Sequence, residues 1–225
     1  MSLSLRRMIW PLIFGLGGAA ILVNLGLWQL SRLEWKTDLL DQISARISAP
    51  PVALPATPDP LNDRFLPVEI TGTLRAEMAD VLTSIPQVGP GYKMIAALET
   101  PQGRRVLVDL GFILEENRAA PRPSGSVSVT GNVFWPNETD SFTPDRDQTR
   151  NIWFARDLNL MSAALQTEPV MIVARSVTSP VANLYLRPVD APNLPNNHLN
   201  YAVTWFSLAF VWLGMTGLLL WRIRR

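Results

Sequence analysis

Residues 8–30 read MIWPLIFGLGGAAILVNLGLWQL and residues 201–221 read YAVTWFSLAFVWLGMTGLLLW. Neither run contains a charged side chain. Each is as long as the roughly 20 residues a helix needs to cross the hydrocarbon core of a bilayer. Two spans close to the ends of a 225-residue chain divide it into five parts. These are an N-terminal segment (1–7), a first transmembrane helix (8–30), a polar domain (31–200), a second transmembrane helix (201–221) and a short tail (222–225).

Charge orients this arrangement. Arg6, Arg7, Arg222, Arg224 and Arg225 lie outside the two runs, whereas all 19 Asp and Glu and 15 of the 20 Lys and Arg lie between them. The middle is therefore mildly acidic, with no electrostatic footprint for nucleic acid. Cationic ends stay in the cytoplasm while a long domain crosses largely regardless of its charge. Both termini are expected inside and the domain outside, in the periplasm. The small residues Gly17-Gly18-Ala19-Ala20 imitate a signal-peptide cleavage site but sit mid-run, so a retained anchor is expected. With no Arg/Ser-rich transit segment, the expected location is a bacterial inner membrane.

Composition excludes much chemistry. The chain has no cysteine and one histidine, His198. Disulfides, thiol nucleophiles and covalently attached c-type haem are ruled out, as are zinc or copper sites needing several His or Cys from one chain.

Between the runs, the first helix has good helix formers to about Ile47, and Trp28, Arg32 and Trp35 share one of its faces. Prolines 50, 51, 55, 58 and 60 then form an extended connector at 50–60. Strands are expected at Phe65–Leu74, Asp80–Ile85, Tyr92–Leu98, Arg105–Ile113, Ser126–Trp135 and Pro169–Val177. Turns are expected at Gly89-Pro90-Gly91 and Gln102-Gly103. Asn137–Gln148 reads as a loop and Asp157–Leu165 as a short helix capped by Asp157. The fold class is an α+β membrane protein: two flanking helices around one antiparallel, hairpin-strung β domain with a short helix.

The residues able to carry chemistry gather where the two runs end on the same side. His198 precedes the second run in the first turn of a helix that Asn196 or Asn197 caps. Tyr201 and Trp205 follow it at i+3 and i+7. Trp28, Gln29, Arg32 and Lys36 lie at the same level on the first helix. A neutral imidazole suits an iron ligand, the aromatics offer flat apolar walls, and the cations match carboxylates. The same residues also suit an ordinary interfacial belt, where aromatics sit among headgroups and cations snorkel. Asn24, inside the first run, is expected to bond across to the second helix, and Gly15, Gly17 and Gly18 to permit close approach. The carboxylates at Glu115-Glu116 and Asp145/Asp147 fall in loops as solvated charge.

Three segments resemble the Surfeit-locus family of cytochrome oxidase assembly factors. LGLWQLSRLEWK (25–36) is similar to its G-x-W-Q-x-x-R-x-x-W-K, VLVDLGFI (106–113) to its V-L-V-N-R-G-W/F-V strand, and NHLNYAVTWF (197–206) to its H-L-x-Y-x-x-T-W motif. Asn151–Asp157 resembles a further W-x-x-R-D stretch. The departures are Asp109-Leu110 where the family has Asn-Arg, and Leu114 where it usually has proline. The resemblance implies a non-enzymatic factor for haem-copper (cytochrome c) oxidase that binds haem a as cargo and assists its insertion into the core subunit. On that reading His198 is the iron ligand, and Tyr201, Trp205, Trp28, Gln29, Arg32 and Lys36 complete the cofactor-binding set. The implied partners are the oxidase core subunit, other assembly factors and membrane lipid. The alternative is a haem-free membrane scaffold for an assembly intermediate.

Overall fold

A computed structural model describes residues 3–178, 184–191 and 196–225; the side chains of residues 1–6, Arg6 among them, lie outside the description. The chain forms two compact units, Met1–Gln42 with Pro192–Arg225, and Ile43–Ala191.

In the first unit, α1 (Leu3–Ser48) and the last helix, α3 (His198–Arg224), are long and apolar enough to cross a membrane. Small residues line their contact. Gly15, Ala19 and Gly26 are buried on α1, and Ala202 and Ala209 on α3. A Cβ added at Gly15 would lie 2.1 Å from the Thr216 side chain, at Gly18 2.6 Å from the Trp212 ring, and at Gly26 2.6 Å from Phe206. The contacts run in opposite directions along the two helices, so the pair is antiparallel. Trp212 Nε1 donates to the Gly15 carbonyl at 3.0 Å. Lipid gives helices no hydrophobic reason to associate, so close backbone approach must supply the contact. Two expectations are corrected here. Gly17 has nothing near it, and Asn24 donates 2.8 Å to Ala20 O of its own helix rather than across the pair. One turn back, the helix's own carbonyl is the acceptor nearest to hand.

In the second unit, the last turn of α1 leads through the proline connector and a two-residue strand, β1 (Val52–Ala53), into β2 (Pro67–Ile85), β3 (Gly89–Glu99), β4 (Arg105–Leu114) and β5 (Gly125–Phe134). A short β6 (Ile152–Trp153), α2 (Leu158–Leu165) and β7 (Met171–Val177) follow. The main path is β2–β3–β4–β7–β5, and β5 pairs again with β2. Five strands thus close into a Greek-key barrel with no long free edge.

Three sequence expectations change. The domain is mixed rather than purely antiparallel, because β7 crosses over to lie parallel to β4 and the short β1 and β6 lie parallel to β2. The two strands expected at 65–74 and 80–85 are one strand, β2. Its first half pairs with β5 and its second with β3, and the polar Arg75-Ala76-Glu77 sits at the register shift between Leu74 and Met78. The turn before β3 lies earlier than Gly89-Pro90-Gly91, with Gln87 at φ 66° and Gly89 at φ 118°; those three residues already pair with Ile85, Ser84 and Thr83. The loop at 137–148 is irregular as expected, apart from an isolated bridge from Asp147 to Ile152. α2 is capped by Asp157, whose side chain accepts from Leu160 N at 2.9 Å.

The barrel interior is apolar, with Val68, Leu74, Met94, Leu98, Val108, Leu110, Val129 and Ile172 buried. Outside it, a second cluster of Ala79, Val81, Ile95, Leu107, Met161 and Met171 includes residues of α2. β3 and β4 are therefore covered on both faces, which is why their sequences run apolar without alternation. Gly111 is required where β4 bulges against Met94 and Ile95. Its φ is 121°, and a Cβ there would lie 2.5 Å from the Tyr185 carbonyl.

Candidate functional site

α1 and α3 bring His198 and Gln29 together: His198 Nδ1 lies 2.7 Å from Gln29 Oε1. Local structure explains the placement. Asn197 holds the N-cap position of α3, and its backbone carbonyl accepts from Tyr201 N at 3.1 Å. Its side chain makes no capping bond, contrary to the expectation that an Asn amide would satisfy the helix start. His198 is thereby the first residue of α3. On α1, Gln29 follows one turn after Gly26, whose missing Cβ lets Phe206 close on the backbone. The imidazole is half-buried, and among the described residues its Nε2 has no hydrogen-bond partner.

The expected aromatics lie on the same two helices and are open. Trp28 is 57% and Tyr201 55% exposed, and Trp205 is half-buried beside the seam residue Ala202 of the next-but-two position. Arg32 stacks its guanidinium 4.1 Å over the Trp35 ring on the same helix. Arg32 and Lys36 lie ~4.5 and ~10 Å beyond Gln29 along the axis, at 1.5 Å per residue. Lys36 is half-buried.

Sequence reasoning missed two ion clusters in the barrel unit. Asp109 is 2% exposed; its Oδ2 accepts from Arg156 Nη1 at 2.8 Å and its Oδ1 from Gly111 N at 3.1 Å. Glu138 takes the other side of the same guanidinium. Burial pushes the Asp109 carboxyl above its usual range despite Arg156 and Lys93 nearby. Burial also opposes ionisation of Glu138, but the hydrogen bonds and charge of Arg156 outweigh it and the net direction is down. Lys93 is lowered, first by burial and then by Arg156. The second cluster centres on Asp80, 1% exposed, which Arg122 grips with two bonds of 2.8 Å and Arg118 with one of 3.0 Å. Each arginine comes from chain outside the strands, whereas Asp80 and Asp109 stand on β2 and β4, so charge ties irregular chain to the sheet. The Asp109 cluster joins two of the sequence segments noted above, since Arg156 belongs to the W-x-x-R-D stretch and Asp109 stands where the resembled strand has Asn. Among the described residues no group of three or more His, Cys, Asp and Glu is placed to hold a metal ion.

Two helices able to span a membrane, a closed β-barrel between them in sequence, and a histidine held at one end of the helix pair define an α+β membrane-type protein. The chain matches the SURF1 family over residues 16–210, and it belongs to that family. It is 30% identical over 210 residues to Surfeit locus protein 1 of Homo sapiens, covering 83% of this chain and 69% of the relative. Against Surfeit locus protein 1 of Xenopus tropicalis it is 31% identical over 220 residues, covering 82% and 67%. Against a SURF1-like protein of Monosiga brevicollis it is 27% identical over 212 residues, covering 85% and 80%.

Proposed function

We propose that this protein is a membrane-anchored assembly factor for haem-copper (cytochrome c) oxidase that carries haem a and helps insert it into the core subunit. Family membership supports the assembly role. The observation that carries the haem reading is the half-buried His198, held by Gln29 through one ring nitrogen while the other has no partner among the described residues. The residues present fit such a cargo. A single imidazole supplies one iron ligand, Trp28, Tyr201 and Trp205 offer flat apolar surface for a macrocycle, and Arg32 and Lys36 lie farther along α1 for its propionates. With one histidine and no cysteine, any further iron ligand would come from water, another residue type or a second chain. A carrier needs that weakness, because it must give its cargo up. The barrel is the surface for the oxidase core subunit and other assembly factors. Both termini are cytoplasmic and the barrel periplasmic, in a bacterial inner membrane; the terminal arginines support this orientation.

The test is the haem-to-protein ratio and reduced optical spectrum of wild type and His198→Ala, prepared from a host that makes haem a. The variant should lose most of the bound haem and keep both helices. Equal non-zero ratios and spectra would remove His198 as the ligand, and no haem in either preparation would favour a haem-free scaffold. Reporter fusions at Arg225 and within 137–148 should report opposite compartments; agreement between them would overturn the two-span topology.

A further inference from the structure

We propose that Gln29 is a positioning residue for His198. Its amide oxygen holds the imidazole proton on Nδ1, keeps Nε2 as the lone-pair nitrogen, and as a neutral acceptor holds the ligand to a strength compatible with release. This rests on the reading of His198 as an iron ligand.

An amide oxygen only accepts hydrogen bonds. With the amide turned so that Gln29 Oε1 faces His198 Nδ1 at 2.7 Å, the proton belongs on Nδ1. The neutral ring then carries its lone pair on Nε2, the nitrogen with no partner among the described residues. Both ends of the contact are fixed by backbone. Gln29 follows the glycine on which Phe206 packs, and His198 opens α3 beside a backbone-closed first turn. Neither side chain has to be ordered anew when a ligand arrives.

The partner's chemistry sets ligand strength as well as tautomer. Histidines that bind metals tightly commonly donate their second N–H to a carboxylate, which makes the ring more basic. An amide orients the ring in the same way without the negative charge. A site built for permanent retention would gain from glutamate here, whereas a carrier gains from glutamine. Gln29→Glu differs by one group and isolates this term.

Because the chain has one histidine, its tautomer can be read without haem. Full-length protein labelled with 15N-histidine, in lipid and haem-free, should show Nδ1 as the protonated, pyrrole-type nitrogen and Nε2 as pyridine-type. Gln29→Leu should interchange the two signals, and Gln29→Glu should restore the wild-type assignment. With haem a added, Gln29→Glu should slow dissociation by about 10-fold or more and Gln29→Leu should speed it by a similar factor, the range found for such outer partners. A wild-type ring protonated on Nε2, or one unchanged in Gln29→Leu, overturns the inference whatever haem does. A normal interchange of signals with haem retention unchanged in Gln29→Leu, Gln29→Glu and His198→Ala overturns the ligand reading instead, and with it the role of Gln29 in release.

Discussion

The helix pair and the barrel treat polar groups in opposite ways. Along the helix contact the buried residues are Gly15, Ala19, Gly26, Ala202 and Ala209, and the polar Asn24 turns back onto its own helix. The barrel unit buries Asp80 and Asp109 almost completely and surrounds each with guanidinium. The solvent explains the difference. Water drives the barrel's apolar strands together, and that gain can carry a few charges provided each is matched. A bilayer supplies no such drive between helices, so contact depends on small residues, and polar atoms are safest inside the helix that bears them. In the barrel, charge fastens irregular segments to the sheet; in the helix pair, the polar contact joins His198 to Gln29.

The largest expected effect tests the barrel side of this contrast. Arg156→Leu removes the cation shared by Asp109 and Glu138 and leaves Lys93 as the nearby positive group. Breaking a buried pair by deleting one partner costs about 3–5 kcal/mol. Thermal or denaturant unfolding of the β signal in the full-length protein measures it, while the His198 nitrogen signals should stay as in wild type. A loss below about 1 kcal/mol would mean that water reaches the cluster.

Next comes the seam. Gly26→Leu forces a side chain into the Phe206 ring, and overpacking of this kind costs about 1–3 kcal/mol. The displaced helix should also break the contact three residues on, so the histidine nitrogens should change as they do in Gln29→Leu. Gly17→Leu is the control, because nothing lies near that position. Matching spectra for the two glycine variants would show that close approach at Gly26 does not hold the site.

The long apolar runs, the short capped helix and most strand positions were legible because periodicity and length report burial directly. The barrel's closure was not. Pairing of β7 with β4 and of β5 with β2 joins residues far apart in the chain, such as Met171 with Leu107 and Val129 with Ile70, and local pattern carries no trace of partner choice. The fusion of two expected strands into β2 was hidden for the same reason, since Arg75 and Glu77 look like a turn until the change of partner is known. At the site, the residue types were readable, but the contact of His198 with Gln29 needed the antiparallel register of the helices. Asp109 stood out in the sequence as a departure from a motif; only its proximity to Arg156 supplies a physical reason for an acid there.

Asp109→Asn should have a smaller effect and a distinctive pH dependence. Asp109 accepts from Arg156 and Gly111 through separate oxygens, so asparagine keeps an acceptor for one of them only. The lost bond and the removed buried charge act in opposite directions, and stability near neutral pH should stay within about 1 kcal/mol of wild type. The sign follows from the raised folded-state pKa of Asp109. Its ionisation costs more folded than unfolded, so its penalty is absent below the unfolded carboxylate range and grows as pH rises through the folded value. The variant should therefore gain on wild type between acidic and neutral pH. Glu138, lowered in the fold, contributes stability above the unfolded carboxylate range that fades as pH falls through its folded value. That trend belongs to both proteins to first order and cancels in their difference. A variant that loses ground with rising pH would show that pairing with Arg156, not burial, dominates at Asp109.

Asn24→Leu should change least, and it bears directly on the lipid side of the contrast. The side chain is exposed on α1 and its amide bonds the Ala20 carbonyl one turn back. That carbonyl already belongs to the helical ladder, so losing the extra donor leaves no backbone group unsatisfied. Leucine also presents lipid with a wholly apolar surface. Polar contacts between membrane helices average only ~0.6 kcal/mol where they do cross, and this one does not cross. The histidine nitrogens and haem retention should match wild type, and the helix pair should be as stable or slightly more so. A loss comparable to that of Gly26→Leu would mean that Asn24 reaches α3 in the bilayer, and that the helix pair, like the barrel, spends a buried polar group on holding its partners together.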